Sequence, residues 1–328
     1  MRAALTGATG FLGHALVEAL VASGAEPSQL TSLARSRSER LEALGCRQVT
    51  GDLQDEGPLV EAFRGAEVVF HLAGRVSRDP RDAAALYDLH VRGTQRVLDV
   101  ALGAGVSRVV LCSTSGTVGC SVSPKVVADD SSPWCSSVVA GWPYYRTKLE
   151  AERLALSHGA RTGLAVVSLN PSLLLGPGDA RGSSTGDVRA FLARRVPSVP
   201  AGGLSLVDVR DAAAAFAAAA TRGEPGTRYL LGARNLTVAE LFADLERLTG
   251  VPAPKLRLPA WLERLGGTLV ERAARVIGRP PPLDRISVEM AQHFWYIDSS
   301  RAARDLGFTP RPTDDTLRDT VAWLRAHA

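Results

Sequence analysis

Tyr144 and Lys148 are the residues of this 328-residue chain whose types and spacing point most directly to chemistry. A free phenol has a pKa of about 10, too high to exchange a proton readily at neutral pH. A nearby ammonium stabilises the phenolate, and lysine has donors enough to hold a ribose as well. The chain has five tyrosines and three lysines, Lys125, Lys148 and Lys255, so chance supplies only about 0.05 pairs of this kind. Residues four apart share one helix face, and Arg146 to Ser157 reads as a helix. Tyr145 has Leu149 at the matching position, which places the register on Tyr144. An aromatic anchor beside a snorkelling lysine is the structural alternative, and lysine's rarity counts against it.

A run of hydroxyls, Ser113-Thr114-Ser115-Gly116-Thr117, follows the apolar segment Val109-Val110-Leu111. Hydroxyls at the carboxyl end of a central strand lie where open sheets bind ligands, and one of them can stabilise a developing oxyanion. Ser113, Thr114 and Ser115 are all candidates. Near the start, Thr6-Gly7-Ala8-Thr9-Gly10-Phe11-Leu12-Gly13 sits between an apolar run and a helical stripe. Bare main chain at Gly7 and Gly10 lets a pyrophosphate approach, Gly13 lets the helix pack closely, and the helix N-terminus faces the anion. The second strand ends in Leu33-Ala34-Arg35-Ser36-Arg37, with no carboxylate before Glu39. An acidic residue there favours NAD, whereas Arg35 with Ser36 or Arg37 suits the 2′-phosphate of NADP. NADP(H) is therefore expected over NAD. Asp52-Leu53 is placed to reach the adenine edge, although Asp52 can equally cap the next helix.

These groups need a scaffold. Ala3–Leu5, Leu30–Ala34, Val68–Leu72, Val109–Cys112 and Ala165–Leu169 are short apolar runs, as in strands buried on both faces. Helical stripes separate them, including Phe11 to Leu20 and Leu86 to Ala101, the latter stopped by Gly103 and Gly105. A Rossmann-type, doubly wound α/β sheet is expected over residues 1–169, with a smaller α/β substrate domain over 170–328, parts of which pack back on the first. In the second part, helices are expected at Val238–Thr249 behind the cap Thr237, and at Thr316–Ala326 behind Thr313-Asp314-Asp315. Thr117 to Trp142 lacks periodicity and reads as a mobile lid.

Composition narrows the partners. The net charge is +4 from 38 basic and 34 acidic residues mixed along the chain, so no nucleic-acid partner is expected. Ala212 to Ala220 is the longest apolar stretch, far short of the roughly 20 residues that span a bilayer, and reads as a tightly packed helix. Four cysteines without CxxC spacing suggest free thiols in the cytoplasm, and six scattered histidines suggest no metal.

Together, the glycine loop, the hydroxyl run and Tyr-x-x-x-Lys resemble the extended short-chain dehydrogenase/reductase family over essentially the whole chain. Phe70-His71-Leu72-Ala73, Val91-Arg92-Gly93-Thr94 and Asn170-Pro171-Ser172 leading to Gly176-Pro177-Gly178-Asp179 strengthen the likeness. Ser184-Thr185-Gly186, Leu206-Val207-Asp208-Val209 and Arg228-Tyr229-Leu230-Leu231-Gly232 resemble its dihydroflavonol-reductase-like branch, which includes hopanoid-associated sugar epimerases.

The resemblance implies Thr114 as catalytic hydroxyl, Tyr144 as proton donor or acceptor, and Lys148 as its electrostatic partner. It implies a dinucleotide held by Gly7, Thr9, Gly10, Phe11, Leu12, Gly13, Arg35, Ser36, Asp52, Leu53, Leu72, Ala73, Lys148, Asn170 and Pro171. A homodimer through the helices around Leu86–Ala101 and Arg146–Ser157 is also implied. His90 replaces the family's usual asparagine, which touches the proton relay. The Arg-Asp pair of nucleotide-sugar members is missing before Leu204-Ser205-Leu206-Val207. The expectation is an NADPH-dependent carbonyl reductase or alcohol dehydrogenase acting on a small, largely apolar molecule. A nucleotide-sugar epimerase/dehydratase and a non-catalytic NADP-binding redox sensor are its rivals. Trp261, Phe294, Trp295 and Tyr296 fit an apolar pocket or core packing. Arg75, Arg78 and Arg81 are expected to be solvated loop charges rather than substrate contacts.

Overall fold

Strands without a polar face need cover on both sides. The computed structural model describes residues 1–257 and 285–327; Pro259, Trp261 and Pro280-Pro281-Pro282 lie outside them. β1 (Ala3–Thr6), β2 (Leu30–Ala34), β3 (Arg47–Thr50), β4 (Val68–His71), β5 (Arg108–Cys112), β6 (Ala165–Pro171) and β9 (Arg228–Leu231) form one parallel sheet. Their order, β3-β2-β1-β4-β5-β6-β9, is the doubly wound arrangement. Winding reverses between β1 and β4, which opens a crevice at the strands' carboxyl ends.

Helices α1 (Phe11–Ala22) and α5 (Val209–Ala219) cover one face, while α2 (Glu56–Phe63), α3 (Gly93–Gly103) and α4 (Pro143–Thr162) cover the other. Ala212, Ala213, Ala215 and Ala219 of α5 are buried in one core with Leu12, Leu16 and Leu20 of α1. Small side chains let two helix backbones approach, so the alanine stretch is the tightly packed helix expected of it. The second half of the chain returns to this core: Tyr229, Leu231, Ala302, Leu306 and Phe308 pack with Leu5 and Leu16.

The smaller sheet is built on β8 (Gly203–Asp208), which pairs in parallel with β7 (Leu173–Leu175) and β11 (Phe294–Trp295) and antiparallel with β10 (Arg234–Thr237). α6 (Val238–Thr249) starts at a capping box in which Thr237 and Glu240 bond each other's main chain, as the sequence suggests. The last helix runs Thr313–Ala326. Thr313, Asp314 and Asp315 are therefore its first turn behind Pro312, and not a preceding cap. Among the described residues, no helix is long and apolar enough to cross a membrane.

The segment 117–142 is anchored along its length. Ser121 bridges to Phe294 and Ala128 to Ile297, and Cys135 N–H donates to Thr117 O. Trp134 lies under the Arg228 guanidinium, 3.8 Å from ring centroid to Cζ. These irregular long-range ties account for the absence of sequence periodicity.

Candidate active site

α4 begins at Pro143, earlier than the sequence suggests, and ends at Gly163 in the left-handed conformation (φ 79°). Tyr144, Lys148 and Glu152 thus stand one turn apart along one face. Lys148 is buried, and its Nζ donates to the carbonyl of Cys112 at the end of β5. Glu152 is fully buried one turn further. Its Oε2 accepts from Ser113 Oγ at 2.6 Å, Asn170 Nδ2 at 2.8 Å and Thr117 Oγ1 at 2.9 Å. Its Oε1 lies 3.1 Å from Arg228 Nε, a contact of charge rather than a well-aimed hydrogen bond.

Sequence reasoning missed Glu152. The available signal was its position one turn beyond Lys148, where a core-facing helix side chain should be apolar. The network also separates the three candidate hydroxyls. Ser113 is tied to Glu152 and Ser115 is buried, while Thr114 is half-buried and takes only a long 3.4 Å bond from Gly116 N–H. Asn170 is fully buried, giving its amide hydrogens to Glu152, Thr117 and the Thr114 carbonyl. Its side chain holds the hydroxyl turn in place and does not face the crevice. Pro171 is buried beside it.

The ring of Tyr144 meets His90 edge-on at 5.7 Å and Tyr145 at 5.0 Å. Burial, then Tyr145 and Cys112, hold its phenol well above the ordinary value. This differs from the lowering expected from an adjacent lysine. Lys148 is turned to the Cys112 carbonyl, and burial pulls its own pKa down, against the influence of Cys112 and Glu152. At neutral pH Tyr144 therefore carries its proton.

His90 has no ring nitrogen left for a relay. Nε2 accepts from Arg75 N–H at 3.2 Å, which places the proton of the neutral ring on Nδ1, directed at Thr147 Oγ1 2.9 Å away. Burial, with Lys148 adding repulsion, pushes its pKa down to about 2. Asp88–Arg92 widens into a π turn that carries His90 between the 74–75 loop and α4.

The glycines of the loop meet different neighbours. Gly7 has φ +75°, and an added Cβ would stand 2.6 Å from Ala73 N and 2.7 Å from the Leu72 carbonyl carbon. Gly7 therefore serves the close packing of β1 on the end of β4. A Cβ at Gly13 would fall 2.2 Å from Gly7 O, so this glycine does let α1 sit tight on the loop. Gly10 meets only Gly7 O at 3.2 Å and leaves the approach to α1 open. No side chain caps Gly10 and no acid occupies the first turn, so the amides of Phe11, Leu12 and Gly13 suit an anion. Thr9 is half-buried on the same loop, and buried His71 ties the ends of β1, β4 and α3 through Thr6 and Thr94.

Around the adenosine side, Arg35 and Ser36 are exposed beyond β2, whereas Arg37 pairs with Glu42 at 3.3 Å. Asp52 accepts from Gln54 N–H at 3.0 Å and leaves capping of α2 to the Asp55 position; Leu53 is buried in the core. These features fit a dinucleotide phosphate: a bare cradle, uncapped amides and an arginine at the second strand's end.

A small pocket opens beside Tyr144, lined also by Val76, Arg78, Trp142, Tyr145 and Met290. Tyr145 stacks on Trp295 at 4.8 Å, and Trp142 lies 5.6 Å from the same ring, so this wall is aromatic. Trp295 thus joins the pocket's surround. The three loop arginines differ. Arg75 pairs with Asp82 at 2.7 Å and Arg81 grips Asp79 at 2.6 Å, while Arg78 reaches the pocket. Among the described residues, no group of three His, Cys, Asp or Glu side chains could hold a metal ion.

The family model described as the NAD dependent epimerase/dehydratase family matches residues 3–232. A Synechocystis protein named after dihydroflavonol 4-reductase is 35% identical over 98% of this chain and 94% of its own. A Methylococcus capsulatus protein named sterol demethylase protein B is 33% identical over 99% of this chain and 98% of its own. The crystal structure of a nucleoside-diphosphate-sugar epimerase from Pseudomonas aeruginosa superposes with a TM-score of 0.77 at 26% identity, covering 99% of this chain and 98% of that one.

Proposed function

Since the chain belongs to the NAD-dependent epimerase/dehydratase family and is an NAD(P)-dependent oxidoreductase of the extended short-chain dehydrogenase/reductase type, we propose that it is an NADPH-dependent carbonyl reductase, or in reverse an alcohol dehydrogenase. One observation carries this reading. Lys148 and Glu152 dock α4 on the Cys112–Thr117 turn, which sets Tyr144 and Thr114 at one end of the sheet. The Thr114 hydroxyl donates to the substrate carbonyl, and Tyr144, held protonated by burial, gives its proton to the same oxygen. With a dinucleotide bound, Lys148 would exchange the Cys112 carbonyl for the nicotinamide ribose and would then steady the phenolate left behind.

The dinucleotide, when bound, supplies the hydride. Gly7, Gly10 and the α1 amides would hold its pyrophosphate, Arg35 and Ser36 the 2′-phosphate, and Asp52 with Leu53 the adenine edge. Leu72, Ala73 and Pro171 would line the nicotinamide side. Residues 1–169 would then be the cofactor domain and 170–328 the substrate domain. A homodimer through the outer faces of α3 and α4 completes the proposal, checked by light scattering.

The test is turnover. Purified protein is expected to consume NADPH with small apolar ketones, and Tyr144→Phe to lose that activity at least a hundredfold. A Tyr144→Phe protein working at the normal rate overturns the mechanism. Arg35→Ala is expected to raise KM for NADPH while leaving NADH unchanged; a wild-type preference for NADH removes the NADP assignment. The sugar-epimerase name of the Pseudomonas relative favours a second reading. It predicts interconversion of a nucleotide sugar without net cofactor consumption, and the same assay separates the two.

A further inference from the structure

The loop Arg75–Asp82 carries three arginines, and they are not equivalent. Arg75 and Arg81 are neutralised by acids of the same loop: Asp82 at 2.7 Å and Asp79 at 2.6 Å. Arg78 is held otherwise. Its Nη1 donates to the neutral hydroxyl of Ser287 at 3.3 Å, and its nearest carboxylate, Asp187, is 3.9 Å away and largely exposed. Such a loose, solvent-screened pair gives up little when a better anion arrives. Arg78 also lines the pocket beside Tyr144, together with Trp142, Tyr145 and Met290. Burial raises the phenol of Tyr145 to about 12, and Arg78 opposes that rise, so its charge is felt inside the pocket.

A guanidinium on the wall of an apolar pocket offers a neutral ketone a hydrogen bond without charge pairing and repels a cation. A carboxylate it binds by paired, charge-assisted hydrogen bonds. We propose that Arg78 is a specificity-determining anchor for a carboxylate, and that the substrates of this pocket are keto acids with an apolar body. Chain positions are then assigned: carbonyl at Tyr144, hydrocarbon along Trp142 and Tyr145, carboxylate at Arg78. In the reduction the carbonyl carbon receives a hydride from NADPH and its oxygen the Tyr144 proton. A C–H and an O–H bond form, the C=O π bond breaks, NADPH is oxidised to NADP⁺, and the carboxylate leaves unchanged on a hydroxy acid. The inference rests on the reductase reading for its chemistry, but not for its binding step.

The experiment compares phenylglyoxylate, 4-oxo-4-phenylbutanoate and 5-oxo-5-phenylpentanoate with their methyl esters. Binding to the NADP⁺-loaded protein is measured by titration calorimetry, and reduction by NADPH consumption. At least one acid is expected to bind at least tenfold more tightly than its ester, with kcat/KM in the same order. Arg78→Gln is expected to bring that ratio near one, while Arg81→Gln keeps it. An acid-to-ester ratio near one in the unaltered protein overturns the proposal, as does a preference that survives Arg78→Gln. If acids bind with the expected preference, Arg78→Gln removes it and nothing is reduced, the anion anchor stands and the reductase reading falls.

Discussion

Glu152→Gln tests the buried network with a nearly isosteric change. The carboxylate uses both oxygens: Oε2 takes three donors from Ser113, Thr117 and Asn170, and Oε1 faces Arg228 at 3.1 Å. A glutamine has one accepting terminal atom. If its oxygen keeps the three donors, its NH₂ confronts the Arg228 guanidinium. If it turns over, its NH₂ confronts that of Asn170, which, unlike a hydroxyl, cannot rotate to accept. The Glu152 side chain is 0% exposed and that of Arg228 10%, so water cannot repair either arrangement. Removing one member of a buried ion pair costs about 3–5 kcal/mol. Arg228 retains the Ser132 carbonyl and the Trp134 ring, which places the expectation at the lower end, about 3 kcal/mol. At about 2–4 °C per kcal/mol, the value for chains somewhat smaller than this, Tm falls by about 6–12 °C. Scanning calorimetry reads that fall. The double variant Glu152→Gln with Arg228→Gln should lose less than the sum of the singles by at least about 1 kcal/mol. Because the same oxygen fixes the Thr114 turn, kcat should drop more than KM rises. A Tm within about 2 °C of the starting value, about 1 kcal/mol or less, would refute the reasoning.

Three further outcomes follow from the same geometry. Burial lowers the pKa of His71 to about 3 and of His90 to about 2, from 6.5. Both are neutral when folded and take up protons only on unfolding, so stability is full above pH 6.5 and declines below it, by about 1.4 kcal/mol per pH unit for each ring; urea titrations at pH 7 and 5 check the slope, and His90→Asn should reduce it. Gly7→Ala must place a Cβ against Leu72 and Ala73 main chain at φ +75°, and should fail to accumulate as folded protein, whereas Gly10→Ala should fold and lose dinucleotide affinity, measured by fluorescence titration. Burial raises all four thiols, Cys46, Cys112, Cys120 and Cys135, so each should react with an aromatic disulfide at pH 8 more slowly than free cysteine and catch up in denaturant.

How far the fold was legible depended on the range of the interactions involved. β1, β2, β4, β5 and β6 were readable because an apolar run between glycines or polar residues is a local pattern, and Thr237 with Glu240 announces a helix start within four residues. Tyr144 and Lys148 were readable because a helix turn joins them. Glu152 was not, since its partners Ser113, Asn170 and Arg228 are brought to it by three different strands. The approach of Leu72 and Ala73 to Gly7 and the partners of His90 were hidden for the same reason. Glycine spacing shows where main chain is bare but not whether a ligand or a neighbouring strand approaches it. The π turn that aims His90 leaves no mark in residue type, and the ties of segment 117–142 to Phe294, Ile297 and Arg228 join residues 94 to 173 positions apart.

β9 has a consequence for how the molecule is made. It is the outer neighbour of β6, yet about 60 residues separate Pro171 from Leu231, its partner across the ladder. At ribosomal rates of about 5–20 residues per second, β6 waits about 3–12 s during synthesis with an unpaired edge, and Asn170 and Glu152 wait with it for Arg228. Until then the buried carboxylate has no counter-charge. Completion of the large sheet and neutralisation of its acid are a single late event, and a nascent chain stalled before residue 228 should expose a sticky strand next to an unsatisfied charge.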